Sequence, residues 1–353
     1  MLSELVVKKN ISIKLALKKI SQVGLKCLII VDDQYQVVGT LSDGDIRKGI
    51  IEGYKITDSV KSIYNQSPIV LNTKTYSVDT AKKIFLQHRL DIIPIINDCG
   101  VLEDCMTWDM VFGGDKIKPK IKATVVIMAG GQGTRLKPFT SILPKPLMPI
   151  HDKPVIKHII DRFHEYGIDD YWVTINHKSN IMKAYFKELE PDYCIKTVSE
   201  SKPLGTAGSL RLLYERVHTP FFVSNCDVLI QSDYADLLDF HMSRQCDLTI
   251  VAAIKHYTLP YGDCEIGHDG MLESIKEKPE YDFLVNTGFY VMNPSVLNMI
   301  PKNTYYNMDQ LIKDMKTKGK VVGVYPINDK SWVDIGQWDE YKKALSMIEV
   351  APV

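Results

Sequence analysis

The chain has 353 residues, and at about 150 residues per domain that length calls for two domains, one small and one large. Hydrophobic residues make up 45% and charged residues 24%, an ordinary globular composition that excludes a disordered or fibrous chain. Lys+Arg and Asp+Glu both number 43, so no basic excess exists to grip a nucleic-acid backbone, and any phosphate binding must be local.

No apolar run approaches the roughly 18 residues that span a bilayer, and residues 1–10 lack a signal-peptide core, so a cytoplasmic protein with no membrane partner is expected. The seven cysteines contain no C-x-x-C pair and read as small hydrophobes rather than as a disulfide framework or zinc site.

The first domain, predicted over 1–115, carries an internal duplication. Each unit reads as a helix (12–23, then 77–87), a buried strand (28–32, then 93–97), a hairpin and a second helix, with an offset of 65 between units. A single deletion then shortens the offset to 64, which sets Asp45 opposite Asp109. One unit alone cannot bury both its faces; two stacked units can. The segment Gly39-Thr40-Leu41-Ser42-Asp43-Gly44-Asp45-Ile46-Arg47 and the order of elements resemble a pair of CBS repeats, a module that often binds adenine nucleotides. The resemblance implies that Ser42 and Asp45 hold a regulatory nucleotide and that the pair supports a homo-oligomer. In the second unit the matching positions become Met106 and Glu103, so the first site is the better one. A plain helix cap at Ser42 and Asp45 explains the same residues.

Residues 113–122 mix glycines, a proline and lysines between two apolar-periodic regions, which places a linker there and a second domain over 122–353. That domain opens with a β-branched run, 124–128, suited to a strand buried on both faces, followed by Ala129-Gly130-Gly131-Gln132-Gly133-Thr134-Arg135. A strand running into a glycine turn lets several backbone N–H groups approach one anion. Leu136 stands where a dinucleotide fingerprint needs its third glycine, and the chain's Gly319-Lys320 pair lacks the Ser or Thr of a P-loop. Arg135 just past the turn, and Lys145 held between Pro144 and Pro146, supply a fork-shaped and a point-like cation suited to a polyphosphate.

Together, Gly130 to Pro138 and Pro144 to Ile150 resemble the signature of sugar-1-phosphate nucleotidyltransferases, and the resemblance extends over 122–345. It implies a Rossmann-like mixed-sheet α/β domain similar to GT-A glycosyltransferases, preceded by the α+β CBS pair. The nucleotide would lie on Ala129, Gly130, Gly131, Gly133 and Thr134, with Gly205, Thr206 and Ala207 of the Leu204-Gly205-Thr206-Ala207-Gly208 loop against base and ribose. Which base it reads stays open, because backbone N–H groups offer every base the same donors.

Two aspartates stand at predicted strand ends: Asp227 in Asn225-Cys226-Asp227 and Asp334 in Trp332-Val333-Asp334-Ile335-Gly336. The resemblance makes them the ligands of Mg²⁺, the cofactor that triphosphate chemistry requires. It also implies a sugar-phosphate site at Gly262, Glu277, Lys278, Asn286 and Gly288. The substrates would be a nucleoside triphosphate, GTP first, and a hexose or amino-sugar 1-phosphate, with Arg135, Lys145 and Lys278 as catalytic cations. The CBS pair joined to this domain resembles the glucosamine-1-phosphate guanylyltransferases of GDP-linked legionaminic acid synthesis. Mannose-1-phosphate guanylyltransferases, cytidylyl-, uridylyl- or thymidylyltransferases, and a nucleotide sensor with an inactive transferase domain are the alternatives.

Overall fold

The structure, a computed structural model, describes residues 2–113, 118–189 and 191–347. The chain forms two compact units, Met1–Ile117 and Lys118–Val353. The expected domain end at 115 and the middle of the linker fall outside the described residues.

The first unit repeats one plan. After a short α1 (Leu2–Leu5), β1 (Val6–Lys8), α2 (Ile13–Val23), β2 (Cys27–Val31), β3 (Val37–Ser42) and α3 (Asp43–Ile51) form one half. β4 (Leu71–Asn72), α4 (Val78–His88), β5 (Ile92–Ile96), β6 (Leu102–Thr107) and α5 (Trp108–Phe112) form the other. Each half is a three-stranded sheet whose first two strands run parallel and whose hairpin is antiparallel. Ser12 and Ser77 cap α2 and α4 by accepting from the N–H three residues on, as Ser does when its hydroxyl offers a helix's orphan donors a partner.

The register corrects the sequence alignment of the halves. Cys27 pairs Ser42 and Ile30 pairs Gly39; Ile92 pairs Thr107 and Ile95 pairs Asp104, with a β-bulge at the same place in both hairpins. The offset therefore stays at 65 throughout, with no deletion. The partner of Ser42 is Thr107, not Met106; that of Gly39 is Asp104, not Glu103; that of Asp45 is Met110, not Asp109. The second half keeps the capping hydroxyl, since Thr107 accepts from Met110 N–H at 3.4 Å, and loses the acid. The bulge falls at the same step in both hairpins, between Ile30 and Val31 and between Ile95 and Ile96, so no residue is lost between the halves.

The second unit is built on β7 (Thr124–Ala129), followed by a ribbon β8 (Pro149–Ile150) and β9 (Lys153–Pro154), α6 (Val155–His164), β10 (Asp170–Ile175), α7 (Ser179–Glu188), β11 (Cys194–Ser199) and α8 (Gly205–Gly208). It continues through β12 (Phe221–Asn225), β13 (Val228–Ile230), α9 (Tyr234–Ser243), β14 (Leu248–Thr258), β15 (Asp263–Ile266), β16 (Leu272–Lys276) and β17 (Glu280–Met292). It closes with α10 (Met308–Thr317), β18 (Val322–Asn328), β19 (Trp332–Asp334) and α11 (Trp338–Met347). Seven strands form a mixed sheet in the order β11-β10-β7-β12-β17-β14-β18, with the first four parallel and β17 antiparallel to both its neighbours.

Alternate residues of β7 feed different cores: Val125, Ile127 and Ala129 pack with α6, and Val126 and Met128 pack with α10 and the 209–213 turn. A strand buried on both faces needs an unbroken apolar run, which is what 124–129 supplies. The crossover order puts the ends of β7, β10, β11 and β12 side by side, where open α/β sheets hold their ligands.

Candidate active site

Past the end of β7 the chain turns through Gly130, Gly131 and Gly133. Gly133 has φ +64°, and a Cβ there would sit 3.0 Å from both Lys145 Cβ and Thr140 Cγ2. Glycine is the residue this turn accepts without strain. The Thr140 hydroxyl donates to the Gly133 carbonyl at 2.9 Å and ties the turn to the segment that leads to Lys145. Arg135 lies in a 3-10 turn anchored by fully buried Leu136, and Lys145 begins another whose Pro146 and Leu147 are buried. Both cations stand on fixed backbone and line one cavity of about 470 Å³.

Asp227 and Asp334 are joined by strand pairing. In the β13–β19 ladder Val228 pairs Asp334, and Ile335 N–H donates to the Asp227 carbonyl at 2.8 Å. A Cβ at Gly336 would lie 2.9 Å from Asp227 Oδ2, 2.9 Å from Asp334 Oδ1 and 3.2 Å from Lys145 Nζ, so two carboxylates and an ammonium converge on one small space. Lys145 forms an ion pair with Asp227, the side chains being 18% and 14% exposed. Burial opposes the Lys145 charge, but the Asp227 and Asp334 carboxylates outweigh it and hold the ammonium above its ordinary value. Burial and the neighbouring Asp227 push the Asp334 carboxyl up, against the N–H of Gly336 that binds it at 2.8 Å. Burial pushes the Cys226 thiol up to about 12, which keeps it a neutral neighbour.

Among the described residues no group of three or more His, Cys, Asp or Glu side chains forms a metal cage. Two crowded carboxylates near a glycine turn are a donor set that a hard cation, completed by phosphate oxygens and water, would accept. The donor set fits Mg²⁺.

The cavity is also walled by Thr174, Asn176, Glu200, Leu204, Gly205, Thr206, Tyr305 and Asn307. The sequence reading missed Thr174, Asn176, Glu200, Tyr305 and Asn307. Asn176 and Glu200 immediately follow β10 and β11, so attention to strand ends would have found them. A Cβ at Gly130 would strike the Glu200 carboxylate. Leu204 N–H donates to Glu200 Oε2 at 3.0 Å, and Asn176 Nδ2 donates to the Glu200 carbonyl at 3.1 Å. Burial pushes the Glu200 carboxyl up, with the Leu204 N–H working against that.

The 204–208 loop is braced by the segment before α10. Ala207 and Gly208 N–H both donate to the Tyr306 carbonyl, at 3.0 and 2.9 Å, and Met308 N–H donates to the Thr206 hydroxyl at 2.9 Å. Gly205 has φ +77°, and a Cβ there would lie 2.7 Å from the Tyr306 carbonyl. Gly205 and Thr206 line the cavity, whereas Ala129 and Ala207 are buried behind its wall.

The remaining sequence candidates form a second group. A Cβ at Gly262 would lie 3.1 Å from Glu277 Oε2, which sets Gly262 beside Glu277 at the β15–β16 ribbon. Glu277 and Lys278 are exposed and do not line the cavity. Asn286 and Gly288 lie nearer: Gly288 N–H donates to Asn286 Oδ1 at 3.0 Å, and a Cβ on Gly288, at φ +80°, would strike the amide of Asn225, a cavity residue.

In the first unit Ser42 and Asp45 form a capping box. Asp45 N–H donates to Ser42 Oγ at 3.1 Å, and Asp45 Oδ2 accepts from both Ser42 N–H and its hydroxyl at 2.7 Å.

Residues 124–350 match the model of the family described as Nucleotidyl transferase, and residues 1–52 match that of the CBS domain. A mannose-1-phosphate guanyltransferase of Schizosaccharomyces pombe is 34% identical over 229 residues, 61% of each chain. One of Yarrowia lipolytica is 37% identical over 186 residues, 50% of each. The chain thus spans about 60% of the length of the curated relatives it matches most extensively. The crystal structure of HddC from Yersinia pseudotuberculosis shares the fold with a TM-score of 0.51 at 24% identity, covering 64% of this chain and all of that one. The glycine turn, the paired strand-end aspartates and these matches place the chain in the nucleotidyl transferase family, with a CBS domain at its N-terminus.

Proposed function

We propose that the chain transfers guanosine monophosphate from GTP to a sugar 1-phosphate and releases pyrophosphate. A sugar phosphate oxygen attacks the α-phosphorus in line. The P–O bond to the β-phosphate breaks, and pyrophosphate leaves with the electron pair. No general base is required, because a phosphate monoester with a second pKa of about 6 is already ionised at neutral pH. Positioning and charge neutralisation carry the catalysis. The turn of Gly130, Gly131 and Gly133 with Thr134 cradles the triphosphate, Arg135 and Lys145 face its charge, and Lys278 holds the sugar phosphate. Mg²⁺ bound by Asp227 and Asp334 would neutralise phosphate charge beside Lys145.

The preference for GTP rests on Glu200. Guanine presents two adjacent donors, N1–H and N2–H₂, which a carboxylate accepts together. Uracil and thymine flank their single donor with two carbonyls that a carboxylate repels, and adenine and cytosine present ring acceptors at that position. A pyrophosphate-release assay crossing four nucleoside triphosphates with glucosamine 1-phosphate, mannose 1-phosphate and glucose 1-phosphate tests the reading. Release with GTP is the expected result, and equal use of all four triphosphates removes Glu200 from base selection.

Glucosamine 1-phosphate is the sugar favoured by the pairing of a CBS module with this domain. Mannose 1-phosphate is the second reading, favoured by the names of the fungal relatives. The same assay separates them. The Ser42–Asp45 end of the first unit is the proposed regulatory nucleotide site. Calorimetric titration of the full chain with AMP, ATP and GTP, against a Ser42→Ala, Asp45→Ala variant, tests it: loss of a binding event in the variant is expected, and an unchanged isotherm removes the site.

A further inference from the structure

Thr174 is fully buried, its hydroxyl oxygen has no hydrogen-bond partner, and the residue lines the substrate cavity. It stands in β10 between Met128 of β7 and Val198 of β11. Side chains alternate across a sheet, so Thr174 and Asn176 on one strand share a face with Val198 and then Glu200 on the next. That face is the one carrying Met128 and Val198 in the core beneath the 204–208 loop. Thr174 and Glu200 are therefore diagonal neighbours on one wall of the cavity, with Glu200 beside Gly130, the first residue of the glycine turn.

Buried hydroxyls in folded proteins are nearly always bonded, and a lone exception inside a binding cavity asks for a partner from outside the chain. A neighbouring carboxylate that accepts guanine N1–H and N2–H₂ leaves the adjacent O6 in need of a donor. Glu200, ionised, offers none, and a threonine hydroxyl does.

We propose that the Thr174 hydroxyl is a base-binding contact that donates to the exocyclic carbonyl of the nucleobase beside Glu200. The proposal rests on the guanine reading and completes it. Glu200 selects the two donors, Thr174 satisfies the carbonyl beside them, and adenine, whose N1 is an acceptor, is opposed at Glu200. A site whose buried polar groups are satisfied only by the right ligand discriminates more strongly than one that merely fits its shape. It also keeps an unpaired group in the free protein.

The test is Thr174→Val, which preserves shape and removes the hydroxyl, with Thr174→Ser as the conservative control. Initial rates are measured with each of the four nucleoside triphosphates, and the melting temperature is taken without nucleotide. Thr174→Val is expected to raise KM for GTP by about 3–10-fold, the worth of one hydrogen bond, with kcat within about 2-fold. Its melting temperature is expected to rise by roughly 2–4 °C, because the unpaired hydroxyl is gone. Thr174→Ser is expected to recover the GTP KM. An unchanged KM together with a lowered melting temperature overturns the proposal and makes the hydroxyl a structural group, while leaving the guanine reading intact. If the wild-type enzyme prefers another triphosphate, the guanine reading fails on its own. Thr174 is then judged by the KM of the preferred nucleotide: a rise in Thr174→Val keeps the base contact, and no rise removes it.

Discussion

Two groups of cavity residues are built on different terms. The first, proposed to hold the phosphates, is backbone and charge: the turn of Gly130, Gly131 and Gly133, the cations Arg135 and Lys145, and the carboxylates Asp227 and Asp334 around Gly336. The second, proposed to read the base, has one half-buried acid, Glu200, beside Gly130 and among Thr174, Asn176, Leu204 and Tyr305, the last 61% exposed at the rim. Charge falls off slowly with distance and sees the same phosphates in every nucleotide, so on the proposed reading the first group supplies affinity and chemistry without choosing a base. Hydrogen bonds in a pocket are short-ranged and directional, so on the same reading the second supplies choice.

Removing Lys145 should break the first group most severely. Lys145→Ala is expected to lower kcat/KM by about 10²–10³ for all four triphosphates alike, as loss of a donor aimed at developing charge does. Steady-state kinetics check it, and a loss confined to one base would dissolve the division between the two groups. Asp227→Asn should cut turnover at saturating Mg²⁺ by at least about 10-fold while circular dichroism stays unchanged. More than a tenth of the wild-type kcat removes Asp227 from the metal site.

Glu200→Gln should leave kcat nearly intact and reduce the preference for GTP over the other triphosphates by about 5–100-fold, the worth of a paired readout of one base. The raised Glu200 carboxyl adds a pH signature. As pH falls, Glu200 takes up its proton above the usual carboxylate range and stops accepting from the base, so KM for GTP should climb, and Glu200→Gln should flatten that climb. Stability runs the other way. Burying the ionised acid costs the folded state, a cost absent below the ordinary glutamate value and incurred as pH rises through the raised one. Glu200→Gln should therefore melt higher than wild type at neutral pH and level with it in acid, which calorimetry across pH checks.

The smallest expected effect lies outside the cavity. Ser42→Ala removes one half of a capping box and should cost the first unit about 1 kcal/mol in denaturant unfolding. Thr107→Ala at the repeat-related position should cost a similar amount if capping is all that either hydroxyl does.

How much of this was legible in the sequence differs by element. The β7 strand and its glycine turn were readable because an apolar run and clustered glycines carry their own backbone preferences. The Ser12 and Ser77 helix starts were readable because a cap acts within three residues. The halves of the first unit were visible as a repeat, but their alignment was not, because a bulged hairpin hides its register until cross-strand partners are seen. Glu200 and Thr174 carried no motif at all and looked like an ordinary loop acid and an ordinary strand residue.

By itself, then, the sequence determined the local chemistry: a glycine turn that admits an anion, Lys145 held between prolines, and acids at strand ends. Only the tertiary structure decided which of these meet. Asp227 reaches Asp334 through the β13–β19 ladder, and Thr174 lies diagonal to Glu200 because β10 and β11 pair in parallel register. Backbone propensity and capping act over a few residues and are written in sequence order. Strand pairing joins distant segments, and the pairing that survives is the one that buries both faces of the sheet.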